Sequence, residues 1–184
     1  DVGPDFRQQM LREQISQLDA IIFTHPHRDH TAGLDDVRAF NFFQKKPMDL
    51  YLTEAVEASI RKEYHYVFDG GWYPGLPELR FFNITNRPFY IGETKFQPVE
   101  VMHHKMAVFG YRIQNFCYIT DANYISDIEK EKLKNVKVLI INALRKDPFC
   151  PLPGSSALGF MFPAYLLIGS ELSVTFFSAL AAEL

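Results

Sequence analysis

The chain has 184 residues, with 19 Lys and Arg against 22 Asp and Glu, and a formal charge of −3. That length suits one domain able to bury a core. A composition 22% charged and 47% hydrophobic excludes a disordered or fibrous chain, and the near-neutral balance argues against stable nucleic-acid binding through a bulk positive field. The charge is unevenly spread. Residues 148–184 hold Glu171 and Glu183 and no Lys or Arg, and no His follows His104.

In chain order, Asp5 and Gln8 resemble a capping box. Phe6, Met10, Leu11, Ile15 and Leu18 then recur at helical spacing, so a helix is predicted from about Phe6 to Leu18. Ala20–Thr24 is short, apolar and β-favouring, and reads as a buried strand. It runs into His25-Pro26-His27-Arg28-Asp29-His30, where Pro26 forbids a regular ladder. A helix is expected from about Ala32 to Phe43, then a strand over Asp49–Leu52. Thr53 can cap a helix to about Tyr66. Residues 69–77 are a loop by their Gly and Pro content. Strands are expected near Leu79–Ile84, Phe89–Ile91, Thr94–Met102, Val108–Ile113 and Phe116–Thr120, with Gln114-Asn115 as a tight turn. Ser126 caps a charged helix to about Lys134, and Val136–Ile141 is an apolar strand. This mixture predicts an α/β or α+β layered domain.

The two cysteines, Cys117 and Cys150, make no disulfide framework, which predicts a reduced, cytoplasmic setting. No signal-like segment precedes the body, and the opening Asp1-Val2-Gly3-Pro4 reads as a fragment or a processed product. Ala157–Leu184 has the length of a membrane span of about 20 residues. Glu171 sits within it, Pro163 interrupts it and no basic residue anchors it, so no membrane partner is expected.

The strongest feature is His25-x-His27-x-Asp29-His30. Strand residues i and i+2 point the same way, so His25 and His27 can face one site, while the loop just after can turn Asp29 and His30 to a second point. Imidazole nitrogen and carboxylate oxygen suit Zn, Mn or Fe. The run follows a buried strand, where sites in α/β sheets usually lie. His103 or His104, at a strand end, and Asp121, after another strand, are candidates to complete the set. Asp121 can also bridge two cations. A corner His pair and a turn-capping Asp are the plainer alternatives. His65, in Tyr64-His65-Tyr66, reads as packed or exposed.

The stretch Thr24-His25-Pro26-His27-Arg28-Asp29-His30-Thr31-Ala32-Gly33-Leu34-Asp35 resembles the H-x-H-x-D-H signature of the metallo-β-lactamase superfamily. Gly3–Gln9, Gly33–Asp36 and Tyr118–Asn123 resemble the branch that contains the phosphoribosyl cyclic phosphate phosphodiesterases, with ribonuclease Z more distant. The resemblance covers roughly residues 1–147, taken as a partial domain, with 148–184 as an atypical apolar tail. It implies an αββα sandwich, incomplete at both ends, and two divalent metal ions. His25, His27 and His103 would hold the first metal, Asp29 and His30 the second, and Asp121 would bridge. His103 is preferred to His104 because it matches the family's first His after the strand. Asp1 matches a strand-end aspartate that supports the metal loop.

The implied activity is hydrolysis of a small cyclic or nucleotide-like phosphodiester by a metal-bound hydroxide. Asp29 is the catalytic candidate, orienting that nucleophile, and the Phe42-Phe43 and Tyr73 region is a candidate lining. The family's late His ligand has no counterpart here. The second metal position is therefore expected to be weakened, with Asp147 and Glu171 as formal substitutes. A non-catalytic metal-binding homologue, and a lactone, thioester or β-lactam hydrolase on the same centre, are the alternatives.

Overall fold

A computed structural model describes residues 1–69, 75–142, 165–168 and 174–177. The fold has mixed α and β content, and it divides into a first unit, Asp1–Glu93, and a second from Thr94 onward.

The first unit is built on three parallel strands in the order β1 (Ala20–Ile22), β2 (Met48–Leu52), β3 (Leu79–Asn83). Ile21 pairs with Leu50, and Leu50 with Phe81. In β2 the pleat sends Met48, Leu50 and Leu52 into the core at 1%, 0% and 0% exposure. Asp49 and Tyr51 lie on the other face. There Asp49 takes a two-pronged bond from Arg80 at 2.7 and 2.7 Å, and Tyr51 stacks on Phe82 and Phe89. Phe89 belongs to the short strand β4 (Phe89–Ile91).

Three predicted helices are shorter than expected, each for a local reason. The helix α1 spans Phe6–Arg12 rather than reaching Leu18. Gln14 adopts a left-handed φ of 54°, its N–H bonds the Leu11 carbonyl, and the Ile15 N–H bonds the Met10 carbonyl. This pair of bonds is a Schellman ending, usually made by glycine. Leu11 and Ile15 are left 62% and 41% exposed. Asp5 is the N-cap residue of α1, but its side chain makes no capping bond.

The helix predicted over 32–43 is divided. A first turn, α2 (Arg28–Thr31), precedes it, a 3-10 turn covers Leu34–Val37, and α3 spans Arg38–Gln44. The break falls at Gly33, where a Cβ would stand 2.4 Å from the Gly3 carbonyl oxygen. Leu34, Val37 and Phe40 still face the core, as their spacing predicts. Thr53 caps α4 (Glu54–Glu63) by accepting from the Val56 N–H. The chain bends at Tyr64 before α5 (His65–Phe68), because Tyr64 turns inward and donates to the Thr31 carbonyl at 2.8 Å.

The second unit contains β5 (Thr94–His103), β6 (Met106–Ile113), β7 (Phe116–Ile119), β8 (Val138–Asn142), β9 (Tyr165–Ile168) and β10 (Val174–Phe177). Their order is β10-β9-β8-β7-β6-β5. All neighbours are antiparallel except β7 and β8, which are parallel. A parallel pair needs a crossover, and α6 (Asp127–Glu131) lies in it, capped by Ser126. The expected extension to Lys134 is a series of turns. Glu129 is 7% exposed. Its carboxylate accepts the Glu100 N–H at 2.8 Å and pairs with Lys132 at 2.7 Å, tying α6 to β5. Val99, Val101, Val108, Cys117 and Ile119 form the core. Burial pushes the Cys117 thiol up to about 12. Tyr73, Asp147, Cys150, Pro163 and Glu171 lie outside the described residues.

Candidate metal centre

The first unit assembles most of the candidate ligands in one turn of chain. After β1, the Phe23 N–H bonds the Tyr51 carbonyl at 2.9 Å, extending the sheet by one residue. Thr24 and His25 follow, 3% and 1% exposed. His25 and His27 lie beyond β1 rather than within it. The chain is nevertheless extended at His27 (φ −63°, ψ 147°), which is the N-cap residue of α2. The i, i+2 argument therefore holds without a ladder, and the two rings meet edge-on with centroids 4.7 Å apart. His25 Nε2 lies 3.1 Å from His27 Nδ1. Two nitrogens sharing a tetrahedral zinc at about 2.0–2.1 Å would stand about 3.3 Å apart, so this pair fits a single cation.

Asp29 and His30 occupy the first turn of α2, not a loop. His30 Nε2 lies 3.5 Å from Asp29 Oδ2, the two side chains being 12% and 73% exposed. A half-buried imidazole beside an accessible carboxylate suits a group that must both bind and meet water.

Asp1 braces this cluster. Its nitrogen donates to the Ile22 carbonyl at 2.6 Å. Its carboxylate accepts the Thr24 N–H at 2.8 Å, the Thr24 hydroxyl at 2.9 Å and His30 Nδ1 at 2.9 Å. The backbone completes the clamp. The Val2 N–H bonds the His30 carbonyl at 2.8 Å, and the Gly33 N–H bonds the Val2 carbonyl at 2.9 Å. A Cβ at Gly3 would meet the Asp29 carbonyl oxygen at 2.7 Å, so the approach of Asp1–Gly3 to α2 requires glycine at 3 as well as 33. Behind the turn, Arg28 pairs with Glu63. The Tyr64 hydroxyl, pushed up to about 12 by burial and then by the charges of Glu63 and Asp35, stays a neutral donor to Thr31.

In the second unit, His103 ends β5, and His104 turns the hairpin with a left-handed φ of 55°. The Met102 N–H bonds the Tyr124 carbonyl and the Asn123 N–H bonds the Met102 carbonyl, both at 2.8 Å. The His104 N–H donates to Asn123 Oδ1 at 3.1 Å. This bridge brings the segment after β7 to the end of β5, and a donor atom of His103 lies within 4.8 Å of an Asp121 oxygen. Asp121 has a φ of 56° and accepts from the Thr120 hydroxyl at 3.2 Å. Of the histidine pair, His103 is the one beside Asp121, and His104 is exposed.

His65 is exposed on α5. Phe42 and Phe43 are 78% and 74% exposed. Phe43 lines a groove of about 770 Å³ between α1 and α3 that contains no candidate ligand, so this aromatic pair is not placed as the expected lining of the site. Sequence reasoning missed Thr24, although a hydroxyl next to the first ligand was visible. The donor set, imidazoles with carboxylates and no thiolate, suits a divalent transition metal in a reactive rather than a purely structural site.

A family profile described as "Beta-lactamase superfamily domain" matches residues 1–174. The chain is 38% identical over 146 residues to an octanoyltransferase of Porphyromonas gingivalis, covering 79% of this chain and 29% of that protein. It is 27% identical over 143 residues to a ribonuclease Z of Limosilactobacillus reuteri, covering 75% of this chain and 43% of that protein. Among solved structures, it is similar to a new diphosphatase of the PhnP family, with a TM-score of 0.72 and 34% identity, covering 81% of this chain and 57% of that one. The chain thus spans less than two thirds of the length of each of these relatives.

Proposed function

The chain belongs to the metallo-β-lactamase superfamily, and from that premise we propose that it is a metal-dependent hydrolase acting on a small phosphodiester. The observation that carries the reading is the braced cluster in which Asp1 and Thr24 hold His25 and His30. Such outer supports orient ligands and raise their basicity. The proposed assignment is the one the motif implies: His25, His27 and His103 for one cation, Asp29 and His30 for a second, weaker one, and Asp121 between them. Zn, Mn or Fe suits these donors.

A divalent metal, when bound, supplies Lewis acidity that activates water near neutral pH and offsets charge developing on phosphoryl oxygens. The protein's part is positional. His25 and His27 present adjacent ring nitrogens, 3.1 Å apart. Asp29, with its side chain 73% exposed, accepts a hydrogen bond from the attacking water and orients it. Burial of Thr24 and His25 keeps bulk water from competing for their bonds.

Phosphodiesters are favoured over other esters because the ribonuclease Z and diphosphatase relatives are named for cleavage at phosphorus. The octanoyltransferase name belongs to a protein of which this chain matches 29%, and it supplies no acyl-transfer reading here. The test is hydrolysis of bis(p-nitrophenyl) phosphate and of nitrocefin after loading with zinc or manganese. The reading expects turnover of the phosphodiester, lost in His25→Ala. Turnover of nitrocefin alone would move the substrate class to β-lactams. Metal uptake with no turnover of either would leave a binding protein.

A further inference from the structure

Thr24 sits between a carboxylate and a ligand ring, and hydrogen-bond accounting fixes which way its proton goes. Its hydroxyl is 2.9 Å from Asp1 Oδ2 and 2.9 Å from His25 Nδ1. A threonine hydroxyl has one proton, and a carboxylate oxygen can only accept. The proton therefore goes to Asp1, and the Thr24 oxygen accepts from a protonated His25 Nδ1. A neutral His25 ring then carries its lone pair on Nε2, the atom facing His27 Nδ1 at 3.1 Å. The same Asp1 oxygen bonds His30 Nδ1 directly at 2.9 Å. One carboxylate thus serves two histidines, one through Thr24 and one without it.

We propose that Thr24 is a positioning residue: its hydroxyl passes the influence of Asp1 to His25, selects the Nδ1–H tautomer and so sets His25 Nε2 for metal binding, while Asp1 reaches His30 directly. The metal part rests on the function proposed above; the tautomer part rests on the hydrogen bonds. Burial strengthens the relay, since Thr24 and His25 are 3% and 1% exposed and no bulk water replaces a lost bond. The two branches also predict different sensitivities. Thr24→Val removes the hydroxyl at nearly constant volume and breaks only the His25 branch. Asp1→Asn weakens both.

The test is zinc affinity by chelator competition on the whole chain, with circular dichroism to establish folding. Thr24→Val is expected to bind zinc about 10–100-fold more weakly, the usual cost of losing an outer support. Thr24→Ser, which keeps the hydroxyl, is expected to stay close to wild type, and Asp1→Asn to lose at least as much as Thr24→Val. A folded Thr24→Val with wild-type affinity overturns the proposal and leaves the metal reading intact. A wild-type chain that takes up no zinc overturns the metal reading and the positioning role with it. If Thr24→Val does not fold, imidazole nitrogen NMR of the metal-free wild-type protein decides. A proton on His25 Nδ1 supports the relay, and one on Nε2 overturns it.

Discussion

The two units prepare their candidate metal-binding side chains in different ways. In the first, four candidate ligands fall within six consecutive residues, and a separate segment, Asp1–Gly3, is laid against them by hydrogen bonds and two glycine contacts. In the second, His103 and Asp121 come from the ends of different strands, and a short backbone bridge between Met102 and Tyr124 joins the segments that carry them. The first arrangement is dense, with Thr24 and His25 buried beneath it. The second is set by strand topology and by the backbone bridge between Met102 and Tyr124. A site built the first way is robust to changes elsewhere in its unit. One built the second way depends on the register of β5 with β6.

The largest expected effect lies beneath the dense half. Phe23 is 0% exposed and immediately precedes Thr24. Phe23→Ala should cost about 3–5 kcal/mol in denaturant unfolding and release the histidine run from the sheet. A loss below about 1 kcal/mol would show that the first unit is less tightly built than its contacts imply. Next comes Gly33→Ala, whose Cβ would press on the Gly3 carbonyl. It should cost about 1–3 kcal/mol as an overpacking change and lower metal affinity, because Asp1 moves with Gly3. Full stability in this variant would mean that the clamp gives way without penalty.

A smaller effect is expected in the second unit. Asn123→Ala removes the bond to the His104 N–H, worth about 0.5–1.5 kcal/mol. This modest change is expected to lower metal affinity more than its stability cost suggests, since the bond fixes the hairpin that carries His103. Equal and small effects on both would remove the contrast between the halves.

The smallest effect is on α4. Burial alone would raise the Glu57 carboxyl, but hydrogen bonds from Arg61 and Asn83, with the Arg61 charge, outweigh it and hold the group below its ordinary 4.5. A carboxyl depressed in the folded state stabilises above its unfolded value and loses that contribution as pH falls through the folded one. Thermal unfolding should therefore show wild type above Glu57→Gln at pH 7, by a few degrees at most. The gap should close as the pH drops below 4.5. A gap that persists in acid would assign the effect to packing rather than charge.

Much of this was legible in the sequence where the signal was local. The strands expected over Asp49–Leu52 and Phe89–Ile91 match β2 and β4 to within a residue, and the histidine run stands out because its candidate ligands are contiguous. Helix lengths were not legible. Ile15 and Leu18 keep helical spacing past the point where Gln14 turns left-handed, and nothing at Gly33 tells of the Gly3 carbonyl waiting 2.4 Å from its missing Cβ. The contact of Thr24 with Asp1 is hidden for the same reason. Its partner Asp1 is 23 positions away, and only the folded chain brings the carboxylate to the hydroxyl. The choice of His103 over His104 rests on family resemblance; in the structure His103 ends β5 and His104 turns the hairpin. Among the described residues no helix is long and apolar enough to cross a membrane, and Asp147 and Glu171 lie outside them.

The central claim is that this histidine cluster holds a divalent transition metal, and elemental analysis after exhaustive dialysis tests it most directly. The wild-type chain should retain at least one zinc, manganese or iron per molecule, and His25→Ala should retain markedly less. A wild-type chain that dialyses free of metal, or a His25→Ala chain that keeps as much as wild type, would contradict it.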